Sequence, residues 1–242
     1  MKPIYVPKGK AKEYGDYAIN IYTGCPHRCY YCFAPNVLHR EKEKFHTCVA
    51  PRENIVEETR KQIEREGITG KLIHLCFTCD PYPKGYDSTP TRKIIKILKD
   101  SGNNVQILTK NGVGAARDFD LLDSGDWFGV SYVGYEGEEF FHVPNSEPNT
   151  SAPLERLRAI YEAHERGINT WVSCEPVLND NDILSLIERA NYVDLWKVGK
   201  LNYHPSDINW GEFGRRAEAV LQSKRRNYYI KESLRENMKG GE

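Results

Sequence analysis

The chain has 242 residues, 34 of them basic and 34 acidic, and seven cysteines, so its formal net charge is zero. That length can bury one large core, so a single domain over 1–242 is expected, with a core of about 17–224 between short polar tails. Balanced charge argues against a general polyanion binder, the lack of a long apolar run argues against a membrane span or signal peptide, and an odd cysteine count with three crowded together does not read as a secreted disulfide framework; a reducing cytoplasm is the expected compartment.

In chain order, residues 17–22 read as a first strand that leads into Cys25-Pro-His-Arg-Cys29-Tyr-Tyr-Cys32. Residues 54–66 read as a helix stopped by Gly67, 72–77 as a buried strand, and 91–99 as a helix ending near Gly102. A strand at 105–109 precedes a short helical segment at 115–122, and 127–133 reads as a fourth strand. After a Pro- and Asn-containing loop, Ser151 is the expected N-cap of a helix with Pro153 in its first turn, Leu154, Leu157, Ile160 and Tyr161 on one face, and Gly167 at its end. Strands at 170–174 and 193–198 flank a helix at 183–189, and an amphipathic helix covers 210–224. Lys224 to Tyr229 mixes charge and aromatic rings and reads as a solvated helix end. Strands separated by helices imply parallel pairing and an α/β fold, an incomplete (β/α)6 barrel of the TIM type.

The spacing C-x3-C-x2-C offers three thiolates, whereas a closed structural zinc site or a fully ligated [4Fe–4S] cube takes four. A cube on three thiolates keeps one iron free. The alternatives are zinc with a fourth ligand from Cys48, His27 or His46, a four-cysteine zinc site using the C-x2-C pair Cys76 and Cys79, or simply buried thiols. His27 and Arg28 either offset an anionic cluster or are exposed loop charges. The cysteine spacing, with Tyr31 before the last cysteine, resembles the radical S-adenosylmethionine (SAM) superfamily, and that resemblance implies the same partial barrel.

In parallel α/β folds chemistry collects at the carboxyl ends of the strands. Those ends carry Thr78-Cys-Asp-Pro-Tyr82, Thr109-Lys110, Ser131, Cys174-Glu175-Pro176 and Lys197 to Lys200, a ring able to hold the charged amino-acid half of SAM. Asn111 to Arg117 imitates a dinucleotide fingerprint but lacks its third glycine and reads as a turn, and His74 reads as a satisfied core histidine.

The runs 20–34, 78–82, Thr109-Lys110 and Arg117-Asp118 together resemble the spore-photolyase-like group of radical SAM proteins over roughly residues 17 to 200. By that resemblance Cys25, Cys29 and Cys32 hold the cluster, Asp80 and Lys110 meet the amino-acid end of SAM with help from Ser131 and Thr78, and Tyr31 lies along the adenine. Phe77 stands where that group has a hydrogen-donating cysteine, which leaves Cys76 and Cys79 as candidate donors or radical relays. Glu175 is a candidate SAM contact or general base, or else, as a carboxylate before Pro176, a turn residue with a salt bridge. The implied activity, of lyase or related type, is reductive cleavage of SAM to a 5′-deoxyadenosyl radical. Electrons would come from a low-potential flavodoxin- or ferredoxin-type carrier, and hydrogen from a substrate not named by the sequence, a nucleic acid lesion or base among the candidates. The rival from another class is a non-catalytic zinc-binding or iron–sulfur electron-transfer module.

Overall fold

The computed structural model describes residues 2–239. Seven strands run parallel in chain order: β2 (Tyr17–Ile19), β3 (Leu72–Leu75), β4 (Asn104–Thr109), β5 (Trp127–Ser131), β6 (Asn169–Cys174), β7 (Leu195–Val198) and β8 (Tyr228–Ile230); β1 (Ile4–Tyr5) pairs antiparallel with β2. The sheet is not closed, because β1 and β8 are its two edges. All six expected strands are present, and the sheet continues beyond them on both sides. Residues 224–229 were expected as a helix end, but Tyr228 to Ile230 form β8. Three strand residues are too few to show an alternating pattern in sequence, and β7 supplies the ladder that fixes them.

Among the described residues eight α-helices lie between these strands, α1 (Ala34–Val37), α2 (Lys42–Thr47), α3 (Ile55–Glu66), α4 (Thr89–Asp100), α5 (Gly112–Ala115), α6 (Pro153–Glu165), α7 (Asp180–Arg189) and α8 (Trp210–Ser223), and α9 (Glu232–Met238) follows β8. A parallel neighbour needs such a crossover because the chain must return to the starting edge. In α3, Gly67 takes a left-handed φ of 62° and its N–H donates to Ile63, closing the helix as expected. The N-cap of α6 is Ala152, not Ser151: Glu155 reaches back to the Ala152 N–H at 2.8 Å, while the Ser151 hydroxyl donates to the Lys110 carbonyl at 3.0 Å. The buried face of α6 holds Arg156, Leu157, Ala159 and Ile160, whereas Tyr161 is exposed.

The inner surface of the sheet is filled by large side chains aligned by register. Gly129 on β5 pairs with Trp171 on β6, and the indole lies across β5 with its Nε1–H donating to the Ile107 carbonyl at 2.9 Å. A Cβ at position 129 would stand 2.2 Å from Trp171 Nε1, so only glycine admits the ring. His74 Nδ1 on β3 donates to Gln106 Oε1 on β4 at 2.9 Å, and the ring stacks on Phe77 with centroids 4.3 Å apart. This packing leaves the polar strand ends grouped at one mouth.

Candidate active site

The cysteine loop begins where β2 gives out. Tyr22 makes an isolated bridge with Pro51, and Gly24 then passes against α2 so closely that a Cβ would lie 2.2 Å from the Phe45 carbonyl oxygen. Cys25 N–H donates to that same carbonyl at 3.2 Å, and His46 Nδ1 sits 2.7 Å from the Cys25 carbonyl oxygen. The loop then turns through Arg28, which holds a left-handed φ of 55°, and closes with Cys32 N–H donating to Cys29 at 3.1 Å.

Cys25, Cys29 and Cys32 are all free thiols. Burial pushes each of them up, Cys29 to about 12; Cys29 and Cys32 add to the rise at Cys25, and Cys32 to that at Cys29. Such groups stay protonated until a cation replaces the proton. Among the described residues no three His, Cys, Asp or Glu side chains form a ready single-ion site. Of the alternative zinc ligands, His27 accepts the Lys84 N–H and the Cys76 and Cys79 thiols accept backbone amides, whereas His46 bonds Cys25 through Nδ1 and keeps a buried Nε2 without a partner among the described residues, and Cys48 is an exposed free thiol. Three thiols on one pinned loop match the number that a cluster with one free iron takes.

The two basic residues inside the loop differ in surroundings. His27 is buried, accepts the Lys84 N–H at Nε2 (3.2 Å) and points Nδ1 at Asp80 (3.5 Å), and burial lowers its pKa to about 4, so it is neutral. Arg28 is paired with Glu43 at the surface, 2.8 Å between Nη1 and Oε2.

The loop between β5 and α6 supplies a residue that sequence reasoning missed. Glu147 is wholly buried and sits 2.7 Å from Arg156 of α6; it also accepts hydrogen bonds from the Tyr31 and Tyr135 hydroxyls, the latter at 2.6 Å. Although burial opposes its charge, Arg156 and Lys110 hold the carboxyl at about 2, well below the ordinary range. Arg156 spends its remaining donors on Ser151 and Ser131 carbonyls, Tyr135 and Thr150. The same segment grips the cysteine loop directly, through Tyr30 N–H to Ser146 at 3.2 Å and Asn149 Nδ2 to Pro26 at 2.9 Å. The sequence signal was Arg156 itself, a charge in register with Pro153 and Ile160 on an otherwise apolar helix face.

The expected SAM contacts divide into two kinds. Lys110 projects beside the loop, with Nζ 5.7 Å from the Tyr31 ring centroid and 3.9 Å from Glu147. Thr78 has a buried hydroxyl with no partner among the described residues, and Ser131 ends β5 nearby in register with Ser173. Asp80, in contrast, is fully engaged by the protein: Tyr82 N–H at 2.8 Å, Thr109 hydroxyl at 2.6 Å and Lys110 N–H at 2.8 Å. It orients the strand end that carries Lys110.

Cys76 ends β3 in a left-handed conformation (φ 69°), and the expected strand over 72–77 stops at Leu75 for that reason. Its thiol accepts the Ile21 N–H at 3.5 Å and that of Cys79 accepts the Tyr22 N–H at 3.4 Å, so both serve as acceptors under the extension of β2. Glu175 lies apart from the cysteine loop. It accepts from the Tyr14 hydroxyl at 2.9 Å and lies 3.2 Å from Lys231.

The Radical SAM superfamily model matches residues 19–190, and the chain belongs to that superfamily. An uncharacterized protein of Methanocaldococcus jannaschii is 28% identical over 184 residues, 74% of this chain and 65% of that protein. An uncharacterized protein of Mycobacterium bovis is 30% identical over 173 residues, 67% of this chain but 49% of its own length. The chain therefore spans less than two thirds of either relative.

Among solved structures, a spore photoproduct lyase mutant superposes with a TM-score of 0.69 at 14% identity, covering 94% of this chain and 79% of that one. A double mutant of the same enzyme with bound AdoMet and dinucleoside spore photoproduct gives 0.61 at 17% identity, covering 90% and 64%. Streptococcus suis SuiB bound to S-adenosylmethionine gives 0.62 at 11% identity, covering 88% and 46%. At these identities the likeness is one of fold, the open parallel barrel. No helix among the described residues is long and apolar enough to cross a membrane.

Proposed function

We propose that this chain is a radical SAM enzyme in which Cys25, Cys29 and Cys32 hold a [4Fe–4S] cluster and the substrate enters the barrel lumen beside it. The observation that carries the reading is a loop of three free thiols, pinned by Gly24 and by the Glu147 segment at the polar strand ends. Bound together, the cluster and SAM supply one-electron cleavage of the sulfonium to methionine and a 5′-deoxyadenosyl radical.

The chain's own residues bind, orient and exclude water. Lys110 offers an ammonium to the carboxylate of SAM, its strand end held by Asp80. The unpartnered Thr78 hydroxyl and Ser131 are further hydrogen-bonding groups on that rim. Tyr31 presents its ring for the adenine, with Glu147 fixing its hydroxyl. Phe77 and Trp171 keep the lumen dry. A low-potential flavodoxin- or ferredoxin-type donor supplies the electron. Among solved neighbours one was crystallised with a dinucleoside photoproduct and another with a precursor peptide, so nucleic acid and peptide are both candidate substrate classes.

The test is anaerobic reconstitution with iron and sulfide, reduction in the presence of SAM, and chromatography for 5′-deoxyadenosine. The nucleoside is expected from the wild type and lost in Cys29→Ala. A colourless protein holding one tight zinc and inert toward SAM would sink the proposal.

A further inference from the structure

The connection between β1 and β2 does something the proposed chemistry does not require. Both strands lie at one edge of the open sheet, yet their connection crosses the lumen to the other edge. It forms a single 3-10 turn, Gly9–Glu13, none of whose residues is fully buried, although the Glu13 side chain is only 14% exposed. Its attachments lie at its end, in Glu13 and the following Tyr14.

Glu13 is seated at the end of β8. One carboxylate oxygen lies 2.5 Å from Lys231 Nζ; the other accepts the Tyr229 hydroxyl at 3.2 Å and the Glu232 N–H at 3.4 Å. Its backbone carbonyl accepts Lys197 Nζ at 2.9 Å. The Tyr14 ring then fills the lumen between His74, Phe77 and Trp171, with Lys231 and Lys197 4.0 and 4.5 Å from its centroid. Both lysines are almost fully buried, and β7–β8 register sets Lys197 opposite Tyr229.

Buried ammonium groups are costly unless they are paired. With Glu13 removed, Lys197, Lys231 and Glu175 leave one uncompensated positive charge. That charge, with a hydroxyl and an amide N–H aimed at the same place, suits a monoanion with two oxygens. A phosphate dianion would carry one charge too many beside Glu175. We propose that this seat is a carboxylate receptor of the lumen with Glu13 as its resident occupant, and that a carboxylate of the substrate displaces Gly9–Glu13 on entry. The substrate assignment rests on the lumen being the reaction site, as proposed above; the receptor itself does not.

The test uses the full reconstituted chain, sodium propionate as the carboxylate, inorganic phosphate as the competing anion, and chloride to match ionic strength. In the wild type, propionate at hundreds of millimolar is needed to compete with a tethered Glu13, whose effective concentration is in the millimolar range or above. Amide hydrogen exchange over residues 9–14 should rise several-fold with propionate and not with chloride. In Glu13→Ala the segment should exchange fast without additive, while propionate should raise Tm saturably by a few degrees. That gain should vanish in the double variant Glu13→Ala, Lys231→Met. If Glu13→Ala folds poorly, Glu13→Gln tests the same release of the segment. Indifference of both variants and wild type to propionate, or a stronger effect of phosphate at matched ionic strength, would overturn the proposal. None of these readouts depends on SAM cleavage, so a chain inert toward SAM would still report on the seat.

Discussion

At the cysteine-loop rim, Glu147 and Arg156 are both wholly buried, and their partners come from the cysteine loop, β4, β5 and the segment between β5 and α6. At the opposite rim, Glu13 pairs with the buried Lys231, but Glu13 is the one anchored side chain of a five-residue turn none of whose residues is fully buried. Both rims present charge to one lumen. The first is cross-linked through distant segments, and the second is fastened by one carboxylate. A cofactor that must stay needs the first kind of wall, whereas a substrate that must enter and leave is served by the second.

That contrast sets the order of expected effects. The largest stability loss falls on the cross-linked rim: Arg156→Met leaves Glu147 as an uncompensated buried charge and should cost about 3–5 kcal/mol in urea unfolding. Much of that should return in the double variant Arg156→Met, Glu147→Gln. A loss below that of an ordinary surface variant would show that the rim is not held as described.

Next comes pH. Glu147 is held at about 2 in the folded chain against an ordinary 4.5, so its contribution is fully present above pH 4.5 and is lost as pH falls toward 2. The shift corresponds to about 3 kcal/mol over that window. Unfolding curves of Glu147→Gln should be flatter between pH 4.5 and 2 than those of the wild type; parallel curves would contradict the assignment.

On the fastened rim, Glu13→Ala leaves Lys231 with Glu175 at 3.2 Å as its remaining carboxylate, so the loss should be smaller, about 1–3 kcal/mol. The smallest effect belongs to Arg28→Ala. Its pair with Glu43 is at the surface, so both Tm and iron content should stay at wild-type values.

The two rims were also unequally legible in the sequence. The cysteine spacing is local, and the strands from β2 to β7 carry apolar runs between helical periods, so loop and sheet could be placed. Asp80 and Lys110 were placed at the correct strand ends, but Asp80 is bound to three protein donors, and only long-range contacts decide that. Glu147 lies in an irregular segment and meets Tyr31 116 residues away. Only Arg156 among apolar positions of α6 announced that a buried anion had to exist. At the other rim, the lumen role of residues 9–14 left no periodic signal, and β8 was masked by the charged residues before it. Tertiary pairing, not local propensity, forms both.

The most direct measurement is low-temperature electron paramagnetic resonance of the anaerobically reconstituted, reduced chain before and after SAM is added. A three-thiolate [4Fe–4S] cluster with a free iron should give a reduced-cluster spectrum whose g-values shift on adding SAM, and Cys25→Ala, Cys29→Ala and Cys32→Ala should each abolish it. A spectrum indifferent to SAM, or one that survives loss of any of those cysteines, would contradict the assignment of the loop.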